Sequence, residues 1–167
     1  MKNITLDTID LKLLDLLQRD ASISNQALAE AVHTSAPTCL RRVKLLQEAG
    51  LIERQIAILN PQAVAQVTGH GLTAIVEITL DHQNNEALVA FEQRAIADDA
   101  VQQCYRVSPG PDFVLIIYAA DMPSYLTLAQ RLFTQDANVR NVKTFFSVKR
   151  AKFGAYISLP QSTRMGA

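Results

Sequence analysis

The chain has 167 residues, 49% of them hydrophobic and 19% charged, ordinary globular proportions that leave room for one domain or two small ones. They exclude a disordered tail or a low-complexity fibre, and no apolar run approaches the roughly 18 residues of a bilayer span. Met1 to Asp10 holds one lysine and no apolar block, so no secretory signal is expected. Two cysteines, Cys39 and Cys104, form no disulfide framework and no CxxC pair, which fits a reducing cytoplasm; the lack of a long apolar run leaves no membrane partner expected.

The net charge of zero conceals an asymmetry: residues 1–60 carry seven bases and seven acids, 61–139 three and nine, and 140–167 six bases and no acid. Position therefore decides whether a phosphate-binding stripe exists. From Leu6 to about Leu46 apolar residues recur at helical spacing, broken at two places, which predicts three helices. The first has Asp7 as N-cap and buries Ile9, Leu13, Leu16 and Leu17. The second starts at Ser24 and buries Leu28, Ala31 and Val32 before stopping near His33. The third opens at Ser35 with Pro37 in its first turn and ends at Ala49 and Gly50, a glycine suited to a left-handed cap. The short link from His33 to Ser35 forces a helix-turn-helix.

At 100° per residue, Ala36, Cys39, Leu40, Val43 and Leu46 share one face of the third helix, while Thr38, Arg41 and Lys44 lie opposite with Arg42 on the flank. Such a helix, about 10–12 Å across, fits the major groove. Ile52, Arg54, Ile56 and Ile58 then alternate as a short strand, stopped by Asn60 and Pro61. Gln62 to Val67 reads as a connecting helical turn and Thr68 to Gly71 as a joint, which sets the division as 1–60, a linker over 61–71, a second domain over 72–157 and a tail over 158–167.

The second domain reads β-α-β-β-α-β: strands at Leu72 to Leu80, Val101 to Ser108, Asp112 to Ala119 and Val139 to Val148, helices at Asn85 to Ala97 and Pro123 to Thr134. That order predicts an α+β fold, a winged helix-turn-helix followed by a ferredoxin-like split βαβ sandwich. Val114 to Ala119 with Phe145 and Phe146 leave the sheet's open face apolar, so a second copy is expected to cover it.

Taken together, Leu6-Asp7 with Asp10, Ser24-Asn25 with Leu28-Ala29, Ser35 to Arg42, and Glu48 to Ile52 resemble the Lrp/AsnC family, the leucine-responsive and asparagine-operon regulators. Asp112-Phe113, Asp121-Met122 and Lys143 to Phe145 extend the resemblance to residue 155. It implies a transcription factor that binds double-stranded DNA, dimerises through its effector (RAM) domain, assembles to octamers and takes a small amino acid between subunits. No catalysis, cofactor or metal is implied, and the location is the cytoplasm, on the nucleoid. Carried over by position, Ser35 opens the recognition helix, Thr38 and Arg41 contact bases or nearby phosphates, Arg42 and Lys44 hold the backbone, and Arg54 adds a wing contact. The matching effector positions are Ser108, Gly110, Asp112, Phe113, Met122, Phe145, Phe146 and Ser147. Asp112 would pair with an α-ammonium, backbone N–H groups of Gly110 and Asp112 with an α-carboxylate, and Met122 and the phenylalanines would shape the side-chain pocket.

Pro109 stands where the family usually has glycine, and Pro111 removes a second donor. Neither GxSxG nor HExxH nor a glycine-rich phosphate loop occurs, and His33, His70 and His82 lack zinc spacing. Two alternatives stay open: a small-molecule-binding or metabolic domain whose helical N-terminus serves assembly, and a regulator that has lost its effector response.

Overall fold

In the first turn of the first helix, two aspartates satisfy the backbone donors that a helix start leaves unpaired. Asp7 Oδ1 accepts from the amides of Ile9 and Asp10, both at 2.9 Å, and the Asp7 amide donates to Asp10 Oδ2 at 3.1 Å. This reciprocal cap starts α1, Thr8–Arg19, in the computed structural model, which describes residues 5–69 and 71–160. His70 and the tail beyond residue 160 lie outside the described residues.

The chain divides into two compact units, Met1–Ile58 with Lys152–Ala167, and Leu59–Ala151. Residues 152–160 group by contacts with the first unit. In the first unit α2, Asn25–Ala31, starts where Ser24 Oγ accepts from Ala27 N, and α3 spans Ala36–Glu48. The turn between them passes through His33 at φ 55°, and Asn25 Nδ2 donates to Ala36 O at 2.9 Å, fixing the start of α3. Gly50, at φ 74°, adopts the left-handed conformation that ends α3.

Leu13, Leu28, Ala29, Val32, Cys39 and Leu46 form this unit's core. Three sequence expectations change. Ala29 rather than Ala31 is buried, because the inward arc of α2 centres one residue earlier. Leu40 is 61% exposed, since it lies about 100° from Cys39 around the helix. Residues 53–60 form no strand: alternation selects a strand only where a neighbour supplies hydrogen bonds, and all described strands belong to the second unit.

The second unit begins with α4, Pro61–Thr68, a two-turn helix over the connecting helical turn that the sequence suggested for Gln62 to Val67. Asn60 Oδ1 accepts from Gln62 and Ala63, and Gly69 at φ 76° closes the other end. Then follow β1 Leu72–Leu80, α5 Asn85–Ile96, β2 Val101–Arg106, β3 Phe113–Ala119, α6 Met122–Ala129 and β4 Val139–Phe146. The strand order is β2-β3-β1-β4 with every pairing antiparallel.

A π-helical turn, Gln130–Thr134, extends α6, closed by Gln135 N on Gln130 O, and the consecutive Leu132 and Phe133 are both buried. One sheet face, with Ala74, Val76, Ile78, Leu80, Phe113, Leu115 and Ile117, packs against Phe91, Ala95, Tyr125, Leu128 and Phe133 of the two helices. The alternate residues Ile75, Val114, Ile116 and Tyr118 occupy the opposite face. No helix among the described residues is long and apolar enough to cross a membrane.

Candidate DNA-contacting helix and effector residues

The face of α3 opposite Cys39 carries Pro37, Arg41, Lys44, Leu45 and Glu48, all exposed. Lys44 Nζ lies 3.8 Å from Glu48 Oε1, a solvated pair worth little. Arg41 is exposed in the middle of this stripe, where a phosphate or a base edge can reach it. Ser35 Oγ donates to Thr38 Oγ1 at 2.9 Å instead of capping the helix backbone, so the two hydroxyls stand together at the leading end.

Arg42 is not among the outward cations. Its Nη1 lies 2.8 Å from both Asp7 Oδ2 and Asp10 Oδ1, and its side chain is only 23% exposed. Arg42, expected on the DNA backbone, here ties α3 to the start of α1. Its position on the flank of the apolar arc was the only sequence hint, and Asp7 and Asp10 read from the sequence as capping residues alone. The hydrogen bond from the Asp10 amide, with Arg42's, holds the Asp7 carboxyl below its ordinary value, and the hydrogen bonds to Asp10 and Asp7 raise that of Arg42. Arg54 lies exposed in the irregular segment after Ile52, so no hairpin orients it.

The effector candidates separate into two groups. Ser108, Gly110 and Asp112 lie in the β2–β3 loop, which carries a cis Ser108-Pro109 bond, beside the C-terminal end of β1. Asp112 N donates to Ile78 O at 2.8 Å, so this amide, expected to receive a carboxylate, is already used. The Asp112 carboxylate accepts from Leu80 N at 2.7 Å and Gln83 Nε2 at 3.2 Å. Phe113 is wholly buried, with its ring 4.8 Å from Phe91, and packs in the core of the unit. Strand alternation turns it to the helix side.

Phe145, Phe146 and Ser147 lie at the other end of β1, where Phe145 pairs with Ile75, Phe146 with Ala74, and Ser147 N donates to Thr73 O. From Ile78 to Thr73 is five residues, about 17 Å along the strand. The two phenylalanines face opposite ways: Phe146 meets Tyr125 of α6 edge to face at 5.1 Å, while Phe145 is on the open face beneath the Lys143 ammonium. Met122, 42% exposed, starts α6 just beyond the β3 end that pairs with Leu72. One copy therefore does not gather the two groups.

An open depression of about 530 Å³ on the helix side is lined by Arg94, Ala97, Asp98, Asp99, Arg131 and Leu132, none of them an effector candidate. No cluster of three or more metal-ligating side chains occurs among the described residues. Burial pushes the Cys39 and Cys104 thiols up, away from the reactive thiolate.

A helix-turn-helix with an outward cationic stripe, on one chain with a split βαβ sheet, defines a two-part DNA-binding regulator. Residues 6–53 match the winged helix-turn-helix DNA-binding family, and residues 73–157 match the Lrp/AsnC ligand binding domain. The leucine-responsive regulatory protein of Rhizobium meliloti (strain 1021) is 36% identical over 156 residues, 93% of this chain and 97% of its own. The DNA-binding transcriptional activator DecR of Escherichia coli (strain K12) is 33% identical over 148 residues, covering 89% and 95%. A transcriptional regulator of Neisseria meningitidis, solved as its L-Met complex, superposes with a TM-score of 0.78 at 28% identity, covering 93% of this chain and 97% of that one. The chain belongs to the Lrp/AsnC family of transcriptional regulators.

Arg42→Ala is expected to lower stability by about 1–2 kcal/mol in urea unfolding, because two carboxylates lose their partner. The Asp7 carboxyl is lowered in the folded state, so its contribution is complete above its unfolded pKa of about 3.9 and lost as pH falls through the folded value. The gap between wild type and Arg42→Ala should therefore be full at pH 7 and shrink below about pH 4.

Proposed function

We propose that the chain is an effector-gated DNA-binding regulator that works as a homodimer. Thr38, Arg41 and Lys44 of α3, with Ser35 at its leading end, meet the major groove. Arg54 follows along the backbone, and Arg42 positions the helix from behind. The observation that carries this reading is the exposed Arg41–Lys44 stripe on a helix anchored through Arg42 to Asp7 and Asp10.

The effector is a small amino acid bound between copies. Asp112 and Gly110 of one copy would take its charged ends, and Met122, Phe145 and Ser147 of another its side chain, with Phe146 backing the strand from the helix side. The 17 Å separation within one copy supports this division, as does the apolar open face of the sheet, which a second copy covers. Further assembly of dimers to an octamer, and a place on the nucleoid in the cytoplasm, follow from the family resemblance.

A second reading is favoured by the Asp112 carboxylate, which already accepts from Leu80 and Gln83, and by the two prolines of the loop. On that reading the regulator has lost its effector response. The two differ in calorimetry with the twenty amino acids, L-methionine first.

Arg41→Ala is expected to weaken binding to a duplex enriched in vitro on the full chain by about 1–3 kcal/mol without a change in melting temperature. Unchanged affinity contradicts the assignment of α3 to DNA. In the calorimetric series, wild type is expected to bind one or a few amino acids and Asp112→Ala none, while Gln83→Ala still binds. Wild-type chain that binds none of the twenty favours the second reading.

A further inference from the structure

The end of the chain returns to the DNA-binding unit. Ile157 and Gln18 of α1 exchange two hydrogen bonds: Gln18 Nε2 donates to Ile157 O, and Ile157 N donates to Gln18 Oε1, both at 2.9 Å. Gln18 thus pairs with the passing backbone as a neighbouring strand residue would. One residue earlier, Tyr156 closes a three-membered cluster. Its hydroxyl donates to Asp15 Oδ1 at 2.8 Å and accepts from Arg19 Nη2 at 3.1 Å, and the Arg19 guanidinium lies 4.7 Å over its ring. Arg19 Nε also bonds Asp15 at 3.1 Å. These contacts hold the Asp15 carboxyl below its ordinary value, Arg19 foremost and Tyr156 next.

Chain connectivity gives this contact its interest. The first unit is joined to the second twice, at Ile58–Leu59 and again at Ala151–Lys152. Five residues, 147–151, separate β4 from the returning segment, a reach of at most about 18 Å. The last of the effector candidates, Ser147, opens that stretch. Beyond the returning segment, α1 runs from Gln18 back to Asp7 and Asp10, where Arg42 of α3 is bound. The covalent chain therefore leads from the end of β4 to the returning segment, and within the first unit named contacts lead on from that segment through α1 to α3.

We propose that Lys152–Pro160 is a strap whose docking on α1 couples the effector end of β4 to the DNA-binding unit. Amino-acid binding at Phe145 to Ser147 changes the tension on residues 147–151, and the strap docks more or less firmly on Asp15, Gln18 and Arg19. The docked and released strap are the two states that both ligands bias. This proposal rests on the effector reading above, and it assigns to Gln18 and Tyr156 a role that neither DNA nor effector contact requires.

The test uses the full chain in two measurements. Amide exchange first reads the strap itself: the Ile157 amide is expected to exchange at least about tenfold more slowly in wild type than in Gln18→Ala with Tyr156→Phe. An Ile157 amide exchanging at the free-peptide rate in wild type overturns the strap. DNA affinity is then measured with and without L-methionine, or whichever of the twenty amino acids calorimetry shows to bind.

Wild type should show a change of about 5- to 150-fold, while the double variant, still binding the amino acid, should show less than about twofold. A double variant that keeps the full change overturns the coupling. If no amino acid binds wild type, the effector reading fails and the coupling with it, and the Ile157 exchange alone decides whether the strap exists.

Discussion

β1 pairs antiparallel with β3 on one side and β4 on the other, and this double pairing sets the rest of the second unit. Because both neighbours run against it, the loop entering β3 falls at the C-terminal end of β1 and the exit of β4 at its N-terminal end. The Asp112 loop and the Phe145 to Ser147 group are thereby held apart by the strand's own rise. Register also decides which side chains remain available. Phe113 and Phe145 are both aromatic residues at strand ends, yet alternation buries the first against Phe91 and leaves the second on the open face. On the proposed reading, a site built from both ends takes its halves from two copies.

The first unit depends on a different economy. Its core is small, six buried side chains among the described residues, and α3 is further secured by polar contacts at its start and at its middle. Asn25 grips the first carbonyl of α3, and Arg42 binds the two aspartates that cap α1. The same aspartates thus serve as helix caps and as counter-charges. Turning one cation inward leaves Arg41 and Lys44 as the outward pair, so the helix is oriented by one charge and presents the others.

Much of the fold was legible because local signals and tertiary packing agree. Asp7, Ser24 and Asn84 each cap a helix with their side chains, and β1 spans Leu72–Leu80 as its β-rich run implies. Where the sequence misled, the missing information was a partner. The alternation from Ile52 to Ile58 describes a strand for which the described residues of its unit offer no paired neighbour. Leu40 lies near enough to the apolar arc to be counted with it, and only the packing of α2 and α1 against Cys39 shows where that arc ends. The helical projection sets Arg42 on the flank of α3 and Lys44 on its polar face, but it does not show that Arg42 has the carboxylates of another helix within reach. The effector candidates are positions along the chain, and the family pattern that names them does not say which copy each comes from.

The central claim is that the effector site draws its two halves from different copies. The direct measurement is calorimetry on a purified, differently tagged heterodimer pairing Asp112→Ala with Met122→Glu, using the amino acid that wild type binds. Each variant homodimer lacks every intact site, whereas the heterodimer retains one in which Asp112 and Met122 are both native. One binding site per heterodimer at wild-type affinity is the predicted result; a heterodimer that binds none places both halves in the same chain and contradicts the account.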